Sequence, residues 1–139
     1  MRTIFFYIMA LCLAAGSALQ AEGQNYIGMP KSRIIEEMQR DHKKFKLNRG
    51  TVNPHYNYLK YEDHISEITL LFFLSDDDVC TMVRMICDYS NINDVEKELN
   101  ENYSRAGKNA WEDKKGDELY TIRLTEEDWY FTVTTKKKE

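Results

Sequence analysis

The most β-prone stretch of the chain lies near its middle and restricts the folds available to it. Residues 66–74 (SEITLLFFL) are almost continuously apolar and include β-branched and aromatic side chains, which is typical of a strand. Residues 75–78 (SDDD) predict a turn, and residues 79–89 follow as a second apolar segment. This second segment also fits one face of a helix behind an Asp cap. We favour a strand, because a hairpin gives the first apolar strand an adjacent partner.

A hairpin built from these two segments has two apolar faces. Pairing Leu74 with Val79 places Leu70 opposite Val83 on one face, which we expect to lie beneath helices. The other face is then left open, and an exposed apolar patch often marks a contact site. The candidate protein-binding residues on that face are Leu71, Phe73, Met82 and Arg84. Alternatively, the loop at residues 43–53 or a second copy of the chain covers the patch.

The remaining segments complete a prediction of the fold class. Pro30 fits the first turn of a helix that continues through Ile34 and Met38, and residues 91–103 show the spacing of a second helix. Weak alternation predicts a further strand at residues 55–61, and we expect a short strand around Trp111 at residues 108–114. The order is then helix, three strands, helix, three strands. We therefore predict an α+β fold in which two α-β-β-β units form an antiparallel sheet with both helices packed on one face.

A C-terminal hairpin is predicted by the alternation on both sides of residues 125–128 (TEED). Pairing Leu124 with Trp129 also pairs Ile122 with Phe131. Cross-strand pairs of this kind stabilise a sheet by about 0.2–1 kcal/mol each. We therefore expect Trp129 to lie in the core.

The first residues have the pattern of an export signal. Arg2 supplies a positive start, residues 4–15 (IFFYIMALCLAA) are uncharged and apolar, and small residues follow. An apolar run of this length is too short for a membrane span, which needs about twenty residues. We predict a signal peptide at residues 1–21, cleaved after Ala18 or Ala21. The mature part, residues 22–139, is then a single periplasmic or secreted domain with no membrane span.

Residues that carry chemistry are few and scattered. The spacing of His42, His55 and His64 suits no zinc site, so we predict no metal and no cofactor. Cys80 and Cys87 would lie about 23 Å apart on one strand at roughly 3.3 Å per residue. A disulfide needs Cα atoms within about 7 Å, so we expect two unpaired, largely buried thiols. A net charge of −4 excludes a strongly basic nucleic-acid binder.

Two short patterns resemble known proteins. Residues 28–35 (GMPKSRII) resemble the opening of the domain found in β-lactamase inhibitor protein and in small outer-membrane assembly lipoproteins. A looser likeness links Asp78, Cys80, Tyr103, Trp111 and residues 129–131 to small exported proteins of Bacteroides-type bacteria. The resemblance implies helices on an antiparallel sheet, binding to other proteins, and no catalytic residues.

Two functions remain open at this point. The first is an exported, non-catalytic module that binds an envelope protein, a secreted protein or a second copy of itself through the open sheet face. It rests on the apolar second face and on the lack of a nucleophile elbow or phosphate loop in the sequence. The alternative is a small envelope ligand-binding protein or enzyme with a cleft between helices and sheet.

Overall fold

The computed structural model describes residues 26–50 and 55–139 of the chain. The predicted signal peptide, residues 1–21, lies outside the described residues. The helices are α1 (Lys31–Asp41) and α2 (Ile92–Asn102), and a 3-10 turn at Tyr89–Asn91 leads into α2. The strands are β1 (Lys46–Leu47), β2 (Tyr58–Asp63), β3 (Ile68–Leu74), β4 (Cys80–Asp88), β5 (Ser104–Gly107), β6 (Ala110–Lys115), β7 (Glu118–Glu126) and β8 (Tyr130–Lys137).

These strands form one antiparallel sheet in the order β1-β2-β3-β4-β8-β7-β6-β5. Strands that follow each other in the chain are neighbours within each half of the sheet. The two halves join through their last strands, β4 and β8, so the order is symmetrical about that pair. The prediction of an antiparallel sheet is confirmed, and most of the segment 79–89 forms the strand β4 (Cys80–Asp88) rather than a helix.

The predicted α+β fold of two α-β-β-β units is wrong. Strands make up 48% and helices only 23% of the described structure, which is dominated by one eight-stranded sheet with two short helices. Each helix is followed by four strands instead of three. The extra strands, β1 and β5, are two and four residues long and lie at the sheet edges. Because such short edge strands carry no apolar alternation, their sequences gave no periodic signal of a strand.

A single core occupies one side of the sheet. Alternate side chains of β3 are buried along its whole length, as expected for a strand with one face in a core. Helix α1 adds Ile34 and Met38 to this core, and α2 adds Val95 and Leu99. Burying each such side chain contributes about 1.5–3 kcal/mol. The other core residues include Tyr26, Phe45, Leu59, Tyr61, Ile68, Leu70, Phe72, Leu74, Cys80, Val83, Cys87, Trp111, Ile122, Leu124, Phe131 and Val133.

The register predicted for the β3–β4 hairpin is wrong by two residues over most of its length. Phe72 lies opposite Val83 rather than Thr81. A shift between Phe73 and Leu74 then pairs Leu74 with Cys80. This β-bulge was missed because a bulge inserts one residue without any change in composition. From Met82 onward the observed register differs from the predicted one by two residues. Because side chains alternate with a period of two, these residues of β4 stay on their predicted sides of the sheet.

The register predicted for the C-terminal hairpin is also wrong. Leu124 lies opposite Val133, and the strands continue to a pair between Glu126 and Phe131. Trp129 therefore belongs to the connection between β7 and β8, where it is 85% exposed, and not to the core. The polar residues 125–128 suggested a turn that ends before Trp129, but β7 extends through the first two of them.

Candidate protein-binding face

The four predicted binding residues lie together on two neighbouring strands. Phe73 of β3 lies directly opposite Met82 of β4, and Leu71 lies opposite Arg84. Their strand neighbours Phe72 and Val83 are buried in the core. Because successive side chains of a strand point to opposite faces, the four residues lie on the side of the sheet away from that core, which we call the open face.

A shallow groove runs over the open face. Its volume is about 630 Å³. The side chains of the four predicted residues are half-buried by their neighbours, and the ring centroids of Tyr58 and Phe73 lie 6.0 Å apart. We call this the open-face groove; its lining consists of Tyr56, Tyr58, Lys60, Thr69, Leu71, Phe73, Met82, Arg84 and Ile86. Most of this lining is apolar or aromatic, which suits the burial of apolar side chains from a partner.

Arg84 is held in place by contacts on both sides of β4. Its guanidinium carbon lies 5.7 Å from the centroid of the Phe73 ring, within the range of a cation–π interaction. Its Nε donates a hydrogen bond of 3.2 Å to Oγ1 of Thr134 on β8. The groove therefore contains one oriented, half-buried positive charge next to its apolar surface.

The other cation of the groove has an acidic partner. The Nζ of Lys60 lies 3.1 Å from Oε1 of Glu62, and this contact with Lys60 is the main reason that the pKa of Glu62 is lowered. Arg84, by contrast, forms no ion pair with any carboxylate of the part of the chain that the structure describes. The positive charge available to a partner in the groove thus belongs to Arg84.

The loop proposed as a cover for the open face has a different position in its described part. Lys46 and Leu47 form the edge strand β1 beside β2, and Phe45 is buried in the core. The backbone N–H of Asn48 donates to the carbonyl of Lys60 at 2.8 Å, and the Asn48 side chain donates to Glu62. Lys46 and Leu47 of this segment therefore extend the sheet at its edge, and Asn48 is hydrogen-bonded to β2; residues 51–53 of the predicted loop lie outside the described residues.

The alternative site, a cleft between helix and sheet, corresponds to a groove beside α2. It has a volume of about 330 Å³ and includes Lys44, Asn91, Asp94, Glu98 and Glu101. Burial, followed by the charges of Asp94 and Glu101, raises the pKa of Glu98. The lining contains neither a histidine nor a cysteine. This groove therefore has no nucleophilic thiol and no imidazole base.

Groups suited to metal or thiol chemistry do not assemble in residues 26–50 and 55–139. No three His, Cys, Asp or Glu side chains there form a cluster that would hold a metal ion. Cys80 and Cys87 are buried free thiols, and burial raises the pKa of Cys80 to about 11 and that of Cys87 to about 12. None of the helices formed by the described residues is long and apolar enough to cross a membrane.

Known proteins provide no match to the chain. No protein-family model, no curated protein and no solved structure matches it. The resemblances noted for residues 28–35 and for the segment from Asp78 to residue 131 stay predictions.

Sequence reasoning missed the part of the face that comes from β8 and β7. Thr134 lies opposite Arg84 on one side and opposite Arg123 of β7 on the other. The alternation of residues 130–134 placed Thr134 on the outer side of its own hairpin. It did not indicate that β8 would pair with β4, because this contact joins residues about fifty positions apart in the chain. The hairpin residues were accessible to sequence reasoning since their pairing is local.

Proposed function

We propose that this chain is an exported, non-catalytic binding module whose protein partner occupies the open-face groove. One observation carries the proposal. Leu71, Phe73, Met82 and Arg84 form a contiguous half-buried patch on the side of the sheet away from the core. Apolar side chains beside an oriented arginine are a composition typical of the central residues of protein interfaces.

The sheet supports this use of the face physically. The patch is carried by β3 and β4, two central strands that pair with each other and are flanked by β2 and β8. A binding surface on paired strands keeps its geometry better than one on loops, so little conformational entropy is lost when the partner binds. The groove is open and shallow, which favours a polypeptide over an enclosed small ligand.

Export is the second part of the proposal. It is supported by Arg2, by the apolar residues 4–15 and by the small residues around Ala18 and Ala21. An exported module would meet its partner in the periplasm or outside the cell. The partner is then an envelope protein, a secreted protein or a second copy of this chain.

A crosslinking pull-down from cells that produce the protein tests the binding function. The bait is the mature chain, compared with a double variant, Leu71→Asp and Phe73→Asp, that places two charges in the groove. The matched control is Ile65→Asp, since Ile65 is 95% exposed and does not line the groove. Circular dichroism and thermal unfolding first establish that each variant folds.

The proposal predicts one recovery pattern. A partner recovered by the native chain and by Ile65→Asp should be lost with the double variant. After purification of that partner, the double variant should bind at least about tenfold more weakly, as is usual when interface hot spots are disrupted. Equal recovery with all three baits would contradict a role for the open face and favour the groove beside α2.

A further inference from the structure

The register of the sheet places two arginines on the open face in one row. Arg84 of β4 lies opposite Thr134 of β8, and Thr134 lies opposite Arg123 of β7. Neighbouring strands are about 4.8 Å apart, so the two arginine Cα atoms are separated by roughly 10 Å. On its other side, Arg84 lies opposite Leu71, so the row runs directly into the apolar groove.

Part of the Arg84 guanidinium has no hydrogen-bond partner among the described residues. Its Nε donates to Thr134, and its guanidinium carbon lies over the Phe73 ring. Its two terminal nitrogens make no hydrogen bond within the described part of the chain. A guanidinium presents its donors as a planar fork that fits the two oxygens of a carboxylate. These two half-buried nitrogens are therefore free to donate hydrogen bonds to a carboxylate of the partner.

Arg123 extends this positive site toward the rim. Its side chain is exposed, and it forms no ion pair with the described residues. Two acidic residues on the same side of the sheet, Glu62 and Glu112, are already engaged, since Glu62 pairs with Lys60 and Glu112 pairs with Lys138. The open face therefore has a local positive charge within a chain whose net charge is −4.

We infer, on the basis of the proposed function, that the partner presents an acidic polypeptide segment in which a carboxylate binds Arg84 and an adjacent apolar side chain enters the groove. The apolar lining excludes a partner that is charged throughout, because Leu71, Phe73 and Met82 have no polar group to offer it. A nucleic acid or an anionic polysaccharide would need many cations in a row. On that line the described part of this face offers three cations, Lys60, Arg84 and Arg123, and Lys60 is already paired with Glu62.

Selection from a displayed library of random linear peptides tests the inference directly. The native chain is immobilised, and the variants are Arg84→Met, the groove double variant, and Arg33→Met. Arg33 is a matched control because it lies on the exposed side of α1 and its loss removes the same charge. A single-stranded DNA oligonucleotide and heparin are measured in parallel as polyanion probes.

The inference predicts that selected peptides carry Asp or Glu beside an apolar residue. Arg84→Met should weaken their binding by about tenfold or more, whereas Arg33→Met should leave it unchanged. Replacing the peptide's Glu by Gln should weaken binding to the native chain but have little further effect on Arg84→Met, since directly paired groups are not additive.

Four results would overturn the inference. Selected peptides that need the groove but no acid, or that bind Arg84→Met equally well, would refute it while leaving the proposed binding function intact. Failure to select any linear peptide would refute an acidic segment, while the pull-down separately decides the proposed function. Tight binding of either polyanion probe that is lost in Arg84→Met would replace the segment by a polyanion.

Discussion

Leu74 lies opposite Cys80, whereas its neighbour Phe73 lies opposite Met82, so Thr81 is an extra residue in β4. This bulge changes the side on which β4 presents its first residue. Cys80 enters the core at 1% exposure, although two residues later Met82 lines the open-face groove. One strand therefore supplies both a buried thiol and a surface methionine.

The bulge leads to a prediction about thiol reactivity. Burial raises the pKa of Cys80 to about 11 and that of Cys87 to about 12, so little thiolate is present at mildly alkaline pH. Because the thiolate is the reactive form, we expect both residues of the folded chain to resist iodoacetamide, and to react quickly once urea unfolds it. Mass spectrometry of the alkylated protein follows both rates.

A control for this experiment is Ser32→Cys, since Ser32 is exposed on α1. The new thiol should react at a similar rate in the folded and unfolded chains. Rapid alkylation of Cys80 in the folded chain would show that the bulge does not bury it.

The two tryptophans are predicted to contribute very differently to stability. Trp111 is 1% exposed, its Nε1 donates to Oδ1 of Asn100, and the Arg105 guanidinium carbon lies 5.1 Å from its ring centroid. Trp111→Ala should lower the free energy of unfolding by about 3–5 kcal/mol. Trp129→Ala should change it by less than about 0.5 kcal/mol, because Trp129 is 85% exposed.

Urea denaturation of both variants measures this contrast. The tryptophan that remains in each variant also reports its surroundings by fluorescence. A large destabilisation by Trp129→Ala would mean that Trp129 belongs to the core after all, as its alternation with Phe131 had suggested.

These residues show which parts of the fold the sequence could predict. Helical spacing placed Ile34, Met38, Val95 and Leu99 on the buried sides of two helices. The continuous apolar run predicted β3, and alternation predicted β7. Such patterns are local, because they depend only on which side of an element meets the core. The extent of a turn is a finer feature, and Trp129 was misplaced because β7 runs two residues further than its composition suggests.

The candidate site divides in the same way. Leu71, Phe73, Met82 and Arg84 lie on one hairpin. The alternation of side chains along its two strands was therefore sufficient to predict that they share one face. Thr134 and Arg123 join them only because β8 pairs with β4. That pairing joins the two halves of the sheet. Nothing in the sequence near β8 distinguishes β4 from the other strands as its neighbour.

Asp63 provides a prediction about pH. Its carboxylate is buried, and Oδ1 accepts hydrogen bonds from the N–H groups of Ile65 and Ser66 at 3.0 and 3.3 Å. Burial alone would raise its pKa, but these hydrogen bonds, with a smaller effect of the Lys44 charge, outweigh burial and lower it. Because the folded chain favours the ionised form, this stabilisation is present above about pH 4, the usual Asp pKa, and is lost as the pH falls toward the lowered value.

Two variants separate the charge of Asp63 from its hydrogen bonds. Asp63→Ala leaves two N–H groups without their acceptor and should cost about 1–3 kcal/mol at neutral pH. Asp63→Asn keeps an acceptor oxygen and should cost less, and its deficit relative to the native chain should shrink in acid. Urea denaturation at neutral and acidic pH measures both effects; a deficit for Asp63→Asn that does not change with pH would contradict the role of the charge.

Export predicts a defined new N-terminus. When the full sequence is produced in a bacterium with a secretion pathway, signal peptidase should cut after Ala18 or Ala21, leaving Leu19 or Glu22 as the first residue. Intact-mass measurement of the purified protein distinguishes the two sites. Leu11→Arg, which places a charge in the apolar run, should block processing and keep the chain inside the cell, because that run must enter the membrane to be cleaved. A native chain that retains residues 1–21 and stays in the cytoplasm would remove export from the proposal, and would leave the open-face groove to be tested against intracellular partners.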